Sequence, residues 1–366
     1  MQVAFIVYVS GVAVQLLFFL ILLVAMRKKQ PAGQVSTPPV SIIICAHDEE
    51  ENLKTLIPML LGQNYPTFEI VIVNDRSNDD TFDWLIAETR KDHRLRMVHV
   101  NRLPEHVTGK KYALTLGIKS AIYDIILLTD ADCRPTSMEW VSEMSSQFSA
   151  QTSFVLGFSP YQKSPGFLNL FIRFETLLTA IQYISFGLLR MPYMGVGRNL
   201  AYRKSFFLEK KGFVNMLQIV GGDDDLFVNR HATAQNTAVA VNPKAKMVSV
   251  PKNSWKAFLK QKIRHLSVGR HYTFRFKVIL GLFMLSWTIT WWVGLPLLAL
   301  NTMTVTVASL LAARCLLLTI VFYNSTRRLD EKFEVWTIPV LDFLFSFYYI
   351  STGLVALLTK KIRWKN

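Results

Sequence analysis

Two blocks of apolar sequence flank a more polar middle, and they constrain this chain more than any other feature. Residues 3–26 carry no charged side chain, and the sequence becomes strongly apolar again after residue 278. About 20 apolar residues in a helix suffice to cross a bilayer core of roughly 30 Å. Hydrophobic residues make up 51% of the chain. Because the excess lies in these two blocks, the middle can fold as a domain in water.

The net charge of +15 admits two classes of partner, nucleic acid and an anionic membrane surface. The basic clusters lie beside the apolar blocks, at Arg27–Lys29, 256–264 and 360–365. Basic residues in such places are typical of the cytoplasmic flanks of spans and of contacts with lipid head groups. The chain has no zinc-finger, RNA-binding or basic-zipper signature. We therefore expect a membrane as a partner and no nucleic acid.

The cysteines and the first basic cluster indicate which side of the membrane the middle domain faces. Cys45, Cys133 and Cys315 are scattered, with neither a disulfide framework nor zinc spacing, which fits a reducing cytosol. Arg27–Lys29 follow the first apolar block directly, so we predict an integral protein of the cell membrane with a cytoplasmic catalytic domain. A cleaved signal peptide is the alternative for residues 3–26, but this segment lacks a basic start and a convincing cleavage site.

The C-terminal apolar block predicts two spans and a third segment of less certain form. Residues 278–300 and 303–323 carry almost no charge and predict a helical hairpin. Residues 335–358 are also apolar but contain a proline, a glycine and Asp342. A single crossing would leave the basic residues 360–365 outside, against the positive-inside tendency. We therefore expect a re-entrant or broken hairpin in which Asp342 is structural or close to an acceptor.

Strand and helix patterns alternate through the middle of the chain. Short apolar runs at 40–45, 68–73, 95–100 and 125–129 indicate buried strands, with helices between them. This alternation, with short connections, is typical of a mainly parallel, doubly wound α/β sheet. In such sheets ligands bind at the carboxyl ends of the strands. Four aspartates follow these strands: Asp48, Asp75, Asp130 and Asp132.

Asp130 and Asp132 follow the run 125–129, a short continuous apolar stretch that indicates a buried strand. Two carboxylates at i and i+2 on a turn can both reach one divalent cation, directly or through water. Hard oxygen ligands suit Mg²⁺ or Mn²⁺, and these ions usually also hold substrate phosphates. An ordinary aspartate-rich turn that caps a helix is the alternative for this pair.

Four stretches together carry a resemblance to a known family. They are S-I-I-I-C-A-H-D-E-E at 41–50, V-N-D-R-S-N-D at 73–79, G-K-K-Y-A-L at 109–114 and D-A-D at 130–132. In this order and spacing the chain resembles the family 2 glycosyltransferases, and within them the membrane-anchored group of cellulose and hyaluronan synthases and ceramide glucosyltransferases. The resemblance implies a GT-A-type fold with transmembrane helices at both ends. Asp48 and Cys45 stand where the family usually has Asn and Pro.

The resemblance implies roles for the polar residues of the first half. Asp48, Asp75, Lys110 and Asp130 would bind the nucleotide-sugar. Asp75 would accept a hydrogen bond from the base, the N3–H of a uracil, and Lys110 would lie near the diphosphate. Asp132, with Asp130, would hold Mn²⁺ or Mg²⁺, because a diphosphate leaving group needs electrostatic stabilisation. A turn residue and a solvated helix start are the alternatives for Asp75 and Lys110.

Two motifs of the second half are similar to the family's catalytic motifs. G-G-D-D-D-L at 221–226 places Asp223 on the family's general base, with Asp224 beside it, and the register across Asp223, Asp224 and Asp225 stays open. A helix start with solvated acids is the alternative. Q-K-I-R-H at 261–265 aligns Gln261 and Arg264 with residues that face the diphosphate and the acceptor, but His265 replaces a tryptophan. That replacement weakens a prediction of processive synthesis.

The prediction is an inverting, metal-dependent hexosyltransferase that moves a sugar, UDP-linked, to a membrane lipid or lipid-linked glycan of the cell envelope. A processive polysaccharide synthase and a catalytically decayed membrane scaffold are alternatives. A phosphohydrolase of the haloacid dehalogenase type is disfavoured, because its D-x-D belongs on the first strand and here three strands precede it. The predicted regions are an anchor (1–27), a linker (28–39), a nucleotide-sugar-binding half (40–150), an acceptor and catalytic half with interfacial helices (151–275) and a membrane region (276–366).

Overall fold

The computed structural model describes residues 1–29, 37–105 and 107–358. These residues form two compact units. The helical unit comprises the described residues of Met1–Lys29, Pro165–Ser185 and Asn253–Lys360, and the sheet unit those of Gln30–Ser164 and Phe186–Lys252. Most of the predicted linker and the basic residues 360–365 lie outside the described residues.

The strands, in chain order, are β1 (Val40–Ala46), β2 (Phe68–Asp75), β3 (Leu95–Val100), β4 (Ile125–Asp130), β5 (Cys133–Pro135), β6 (Phe154–Gly157), β7 (Leu200–Arg203), β8 (Thr237–Ala240) and β9 (Met247–Ser249). The α-helices are α1 (Gln2–Ala25), α2 (Glu50–Leu61), α3 (Thr81–Thr89), α4 (Gly109–Ser120), α5 (Trp140–Ser145), α6 (Phe167–Leu188), α7 (Lys204–Glu209), α8 (Asp225–His231), α9 (Trp255–Val268), α10 (Phe274–Ala299), α11 (Thr304–Arg328) and α12 (Ile338–Leu358).

The sheet unit is built on a seven-stranded sheet of order β3-β2-β1-β4-β7-β6-β8. Strands β1 to β4 pair in parallel, β7 runs antiparallel to β4 and β6, and β8 is parallel to β6. This confirms the predicted GT-A-type, mainly parallel architecture. In β1 Cys45 lies opposite Val73 of β2 and Asp130 of β4, so the carboxyl ends of the three strands meet at one edge.

Continuous apolar runs explain the central strands. Both faces of β1, β2 and β4 are buried, as expected for parallel strands covered by helices. On one face Ile42, Ile70 and Leu127 pack in a cluster with Leu53 and Leu56 of α2. Helix α2 contributes the apolar side that its sequence spacing predicts. The polar edge of the sheet is therefore presented by a rigid core.

The helical unit contains four helices that are long and apolar enough to cross a membrane, at Gln2–Ala25, Phe274–Ala299, Thr304–Arg328 and Val335–Ala356. The first three match the predicted spans. Helix α1 packs against α10 and α11, where the hydroxyl of Tyr8 donates to the carbonyl of Val307 over 2.8 Å. Gly294 of α10 leaves room for the Tyr8 ring, because a Cβ there would lie 2.7 Å from it.

The prediction of a broken or re-entrant hairpin at 335–358 is wrong, because α12 is one unbroken helix from Ile338 to Leu358. Pro339 is its second residue, where a missing backbone N–H leaves no hydrogen bond unmade. Gly353 lies in open space and does not interrupt the helix. Pro339 and Gly353 thus lie at positions of α12 where they do not interrupt the helix.

A buried charge pair joins three helices of this unit. Arg314 of α11 forms an ion pair with Asp342 of α12, and neither side chain is exposed. The Arg314 Nε donates to Oε1 of Gln15 on α1 over 2.6 Å, and the guanidinium lies 4.8 Å from the Trp287 ring centroid. Of the two expectations for Asp342, these contacts favour the structural one. Arg314, the charged residue within the second predicted span, was not singled out from the sequence.

Helix α6, for which a pattern of apolar residues with Arg173 and Glu175 predicts an interfacial or core helix, is largely buried. Phe171 packs against Trp255 of α9, with ring centroids 5.6 Å apart. Arg173 forms an ion pair with Glu334 at 2.9 Å, and Glu175 pairs with Lys262. These contacts satisfy both charges within the helical unit.

Candidate active site

The turn after β1 is tied to the loop after β2 by Asp48. Its φ of +56° is in the left-handed region, which Asn and Asp adopt more readily than most residues. Its Oδ1 accepts from the backbone N–H of Asn78 over 2.7 Å, and its own N–H donates to the Ser77 hydroxyl over 3.0 Å. The departure from the family's Asn therefore keeps the conformation and the capping oxygen. Asp48 shapes the loop that follows Asp75.

Asp75 ends β2 and is buried, and both of its carboxylate oxygens accept from the adjacent Arg76, over 2.8 and 3.2 Å. Arg76 also has a positive φ, of 58°. Gly109 at the start of α4 packs so closely that a Cβ there would lie 2.7 Å from the Arg76 guanidinium. The backbone carbonyl of Asp75 contacts His47 Nδ1 at 2.6 Å. Asp75 is thus held rigidly at the sheet edge with its charge paired.

Lys110 brings together two carboxylates from distant parts of the sequence. Its Nζ lies 3.0 Å from Asp130 Oδ1 and 3.4 Å from Asp223 Oδ2. Burial alone would lower the pKa of Lys110, but the nearby charges of Asp130, Asp223 and Asp224 outweigh burial and hold it well above its ordinary value. The ammonium is therefore charged and fixed between the end of β4 and the start of α8.

Asp132 lies two residues beyond Asp130 and is held by weak donors. The Ser249 hydroxyl donates to Asp132 Oδ1 over 3.4 Å, and the Cys133 thiol lies 3.7 Å from the same oxygen. Burial raises the pKa of Asp132, and the charge of Asp130 adds to the rise. The neighbouring charge of Arg198 acts in the opposite direction. Asp132 is a partly buried carboxylate whose ionised form would be stabilised by an added cation.

The three consecutive acids have three different surroundings. Asp224 Oδ2 accepts from the Gly197 N–H over 2.6 Å, and its Oδ1 accepts from the Asp225 N–H over 2.8 Å, so it caps α8. Asp225 Oδ1 accepts from the Leu226 N–H over 2.7 Å. Asp223 is the member that contacts Lys110. Burial raises the pKa of Asp224, and the charge of Asp223 raises it further. A catalytic role for Asp224 stays a prediction beside this capping role.

The donor set fits a divalent cation of the predicted kind. Within the part of the chain that the structure describes, no group of three or more His, Cys, Asp or Glu side chains could hold a metal by itself. Mg²⁺ and Mn²⁺, however, are usually held by one or two carboxylates, water and substrate phosphates. Asp130 and Asp132 supply two carboxylates whose charges raise each other's cost of ionisation. A metal shared with a substrate diphosphate would relieve that repulsion.

Gln261 and Arg264 lie on α9 in the helical unit, three residues apart on one side of the helix. The helix begins at Ser254, whose hydroxyl accepts from the Ala257 N–H over 3.3 Å. The other predicted site residues all belong to the sheet unit.

Three basic residues near the carboxylates were missed in the sequence: Arg76, Lys111 and Arg198. Arg198 stacks on the Tyr161 ring at 4.2 Å and donates to the Ser159 carbonyl over 3.0 Å. The signal available for Arg198 was a lone charge within the stretch G-V-G-R-N-L-A at 195–201. For Lys111 and Arg76 the only signal was that each lies next to a motif residue.

Comparison with family models identifies the class of the chain. The model described as "Glycosyl transferase family 2" matches residues 41–207. The model described as "Glycosyl transferase family group 2" matches residues 125–325, which is more than half of the 366 residues. The matches include the sheet edge with Asp75, Lys110, Asp130 and Asp223.

Curated relatives match over shorter stretches. The poly-beta-1,6-N-acetyl-D-glucosamine synthase of Staphylococcus epidermidis is 36% identical over 95 residues, 25% of this chain and 21% of that protein. The probable glycosyltransferase YdaM of Bacillus subtilis is 34% identical over 103 residues, 28% of this chain and 24% of that protein. The chain thus spans only about a fifth to a quarter of the length of these relatives.

Among solved structures, a mannosyltransferase of Pyrobaculum calidifontis, in complex with GDP-Man and Mn²⁺, resembles the whole chain. The TM-score is 0.65 at 17% sequence identity, and the match covers 98% of this chain and 99% of that one. At this identity the likeness establishes a common fold.

Proposed function

The chain belongs to the family 2 glycosyltransferases, and we propose that it transfers a sugar, with inversion, from a UDP-sugar to a membrane lipid or lipid-linked glycan. The proposal rests on the ion-pair contacts of Lys110 with Asp130 and Asp223. These residues are separated by up to 113 positions in the sequence, yet their charged groups lie within one ion-pair network. Such an arrangement combines a cation for a phosphate with a carboxylate for a hydroxyl proton.

The donor would bind along the carboxyl edge of β1, β2 and β4. Asp75, fixed by Arg76, offers a carboxylate acceptor for the N3–H of uracil. A guanine base also presents N–H donors, so GDP-sugars are the competing donors, and the Pyrobaculum enzyme contains GDP-Man. Lys110 would exchange part of its contact with Asp130 for the donor diphosphate.

Asp130 and Asp132 would hold Mn²⁺ or Mg²⁺ together with the diphosphate. The ion would supply Lewis-acid stabilisation of the charge that develops on the leaving group. This assignment is supported by the raised pKa of Asp132 and by its weak donors, Ser249 and Cys133. Both features indicate a carboxylate without a strong positive partner among the residues that the structure describes.

Asp223 would act as the general base. Its carboxylate would take the proton of the acceptor hydroxyl while that oxygen attacks the anomeric carbon and the bond to the diphosphate oxygen breaks. Attack from the face opposite the leaving group inverts the anomeric configuration. Asp223 is 6% exposed, so bulk water has little access to it. Asp224, committed to the cap of α8, would position it.

The helical unit supports the proposed acceptor class. Four candidate spans support an integral membrane protein, and Arg27–Lys29 support a cytoplasmic catalytic domain by the positive-inside rule. Gln261 and Arg264 would face the diphosphate and the acceptor, as their motif implies. The Staphylococcus relative's name favours a second candidate, synthesis of an N-acetylglucosamine polymer at the membrane.

The test is turnover of a panel of UDP- and GDP-sugars by the purified full chain in detergent with membrane lipids, in Mn²⁺, in Mg²⁺ and in EDTA. We expect metal-dependent release of UDP from one donor. The Asp132→Asn variant should lose this activity. The matched control is Asp124→Asn, at the opposite end of β4 and paired with Arg203 at 3.0 Å, which should keep it. Nucleotide binding without turnover of any donor would instead support the scaffold, and release that is unaffected by EDTA would contradict the metal.

A further inference from the structure

Lys111 is a buried lysine that the proposed reaction does not use. It is the charged member of the buried side of α4, among Gly109, Ala113 and Leu114, and its exposed fraction is 1%. Burying an ammonium is costly unless it is fully hydrogen-bonded. Its Nζ donates to two backbone carbonyls, those of Ile219 and Gly221. A methionine would fill the same volume without that cost, so the charge itself calls for an explanation.

The two carbonyls belong to the acid loop, defined here as residues 217–224, which leads into α8 and carries Asp223. Gly221 and Gly222 have φ values of +80° and +78°, in a region that glycine alone adopts easily. Two successive glycines leave this backbone with more conformational freedom than any other residues would. The loop therefore needs an external restraint to hold Asp223 in one place.

Helix α4 supplies the restraint at two points. The Thr108 N–H donates to the Leu217 carbonyl over 3.2 Å at the beginning of the loop. Lys111 binds carbonyls on both sides of Val220, and Gly221 is two residues before Asp223. The neighbouring Lys110 contacts the Asp223 carboxylate itself. Burial lowers the pKa of Lys111, and the charges of Asp223, Asp225 and Asp224 act against this lowering.

We propose that Lys111 is a positioning residue of the transferase: it clamps the acid loop to α4 and so fixes the Asp223 carboxylate where the acceptor hydroxyl is deprotonated. This inference rests on the proposed function for its catalytic part. Since a displacement of about 1 Å at a catalytic group can cost on the order of 100-fold in rate, loss of the clamp should reduce kcat strongly. Donor affinity should change little, because Asp75 and Asp132 lie on strands and turns outside the loop.

A matched control exists in the same unit. Lys204 also donates to two backbone carbonyls, of Lys119 and Ala121 over 3.1 and 2.6 Å, but at the opposite end of α4. The two clamps are separated by roughly 12–15 Å along the helix at 1.5 Å per residue. Lys204→Met removes the same kind of contact without touching the acid loop.

The experiment measures turnover, UDP affinity and amide hydrogen exchange for Lys111→Met, Lys111→Arg and Lys204→Met in the full chain. We expect Lys111→Met to lower kcat at least 30-fold, to change the UDP Kd less than threefold and to speed exchange of amides 219–223 at least tenfold. Lys111→Arg keeps charge and donors, so it should fold and recover part of kcat, with a residual loss because the guanidinium is larger. Lys204→Met should keep kcat within twofold.

Two results would overturn the inference. One is equal kcat for Lys111→Met and Lys204→Met, and the other is unchanged exchange of the acid loop in Lys111→Met. If the wild-type chain turned over no donor, the proposed function would fail separately, since the exchange measurement still decides whether Lys111 clamps the loop. If Lys111→Met failed to fold, Lys111→Gln would replace it, because its shorter side chain cannot reach both carbonyls; wild-type kcat and unaltered loop exchange in Lys111→Gln would overturn the proposal.

Discussion

The two units of this protein each contain buried charge, and they balance it differently. At the sheet edge Lys110 contacts Asp130 and Asp223, and the charge of Asp224 also acts on it. Asp132 lies beside Asp130, so these four carboxylates outnumber the nearby cations Lys110, Lys111 and Arg198. In the helical unit one arginine, Arg314, meets one aspartate, Asp342, and the arginine also donates to the amide oxygen of Gln15.

The difference indicates what each cluster is for. The buried pair is electrically balanced without a ligand, and its contacts join α1, α11 and α12. At the partly exposed sheet edge the carboxylates are in excess. Neighbouring like charges raise the free-energy cost of ionising each carboxyl group until a cation binds beside them. Charge stoichiometry thus supports, without reference to any motif, the proposal that the sheet-edge cluster binds substrate.

The largest expected effect concerns Asp223. Because a general base contributes about 10²–10⁴-fold, Asp223→Asn should lower kcat on the order of 1000-fold while the unfolding midpoint changes little. Asp225→Asn, whose amide oxygen can still accept from the Leu226 N–H, should lose at most tenfold. Steady-state kinetics of both variants measure this. A larger loss of kcat in Asp225→Asn than in Asp223→Asn would show that Asp223 is not the general base.

The next effect breaks the balanced pair. Arg314→Met leaves Asp342 buried without its partner, and removal of one member of such a pair costs roughly 3–5 kcal/mol. The double variant Arg314→Met/Asp342→Leu removes both charges and should be more stable than either single variant. Thermal or denaturant unfolding in detergent, in a double-mutant cycle, measures the coupling. If the stability losses of the two single variants added up to that of the double variant, the pair would not hold the helices together.

A smaller effect concerns the cap of α8. Asp224→Ala removes the acceptor for the N–H groups of Gly197 and Asp225. Loss of such a cap costs about 1–2 kcal/mol, so the free energy of unfolding should fall by that amount. Asp224→Asn should recover only part of it, because its amide keeps one acceptor oxygen for the two N–H groups. If Asp224→Asn were as stable as the wild type but inactive, Asp224 would have a chemical role beyond the cap.

The smallest expected effect concerns the surface ion pair of Asp92 and Arg94, which serves as a reference for both buried clusters. Hydrogen bonds from Arg94 lower the pKa of Asp92 from 3.8 to about 2. A lowered carboxyl pKa contributes stability that is present above pH 3.8 and is lost as the pH falls through about 2. The pair is partly exposed, so Asp92→Asn should cost less than about 1 kcal/mol at neutral pH. The same variant should match the wild type near pH 2, and unfolding at both pH values compares them.

The fold was predictable because its signals are local. Apolar runs such as Ile125–Thr129 indicate strands by themselves, and uncharged segments indicate spans by length. The exception is the segment at 335–358, where a hairpin was inferred from the basic residues 360–365 and the positive-inside tendency. Pro339 was noted there without its position in the helix being known. Its outcome depended on where α12 begins, which the sequence pattern locates poorly.

The candidate site was predictable only in its motif residues. Asp75, Lys110 and Asp130 follow from strand ends and family spacing. Lys111 and Arg314 did not, because their partners lie 108 and 28 residues away, respectively, and no local pattern marks such pairs. The capping of α8 by Asp224 was equally invisible, since three adjacent acids look alike until the backbone N–H groups around each are known.

The most direct test of the central claim, that the excess carboxylates await a cation and a diphosphate, is a calorimetric titration of the full chain with UDP in Mn²⁺ and in EDTA. We predict that UDP binds at least 30-fold more tightly with Mn²⁺, and that Asp132→Asn abolishes the difference. Equal UDP affinity in Mn²⁺ and EDTA would contradict the claim, because the chain would then neutralise the diphosphate with Lys110 and its other cations alone.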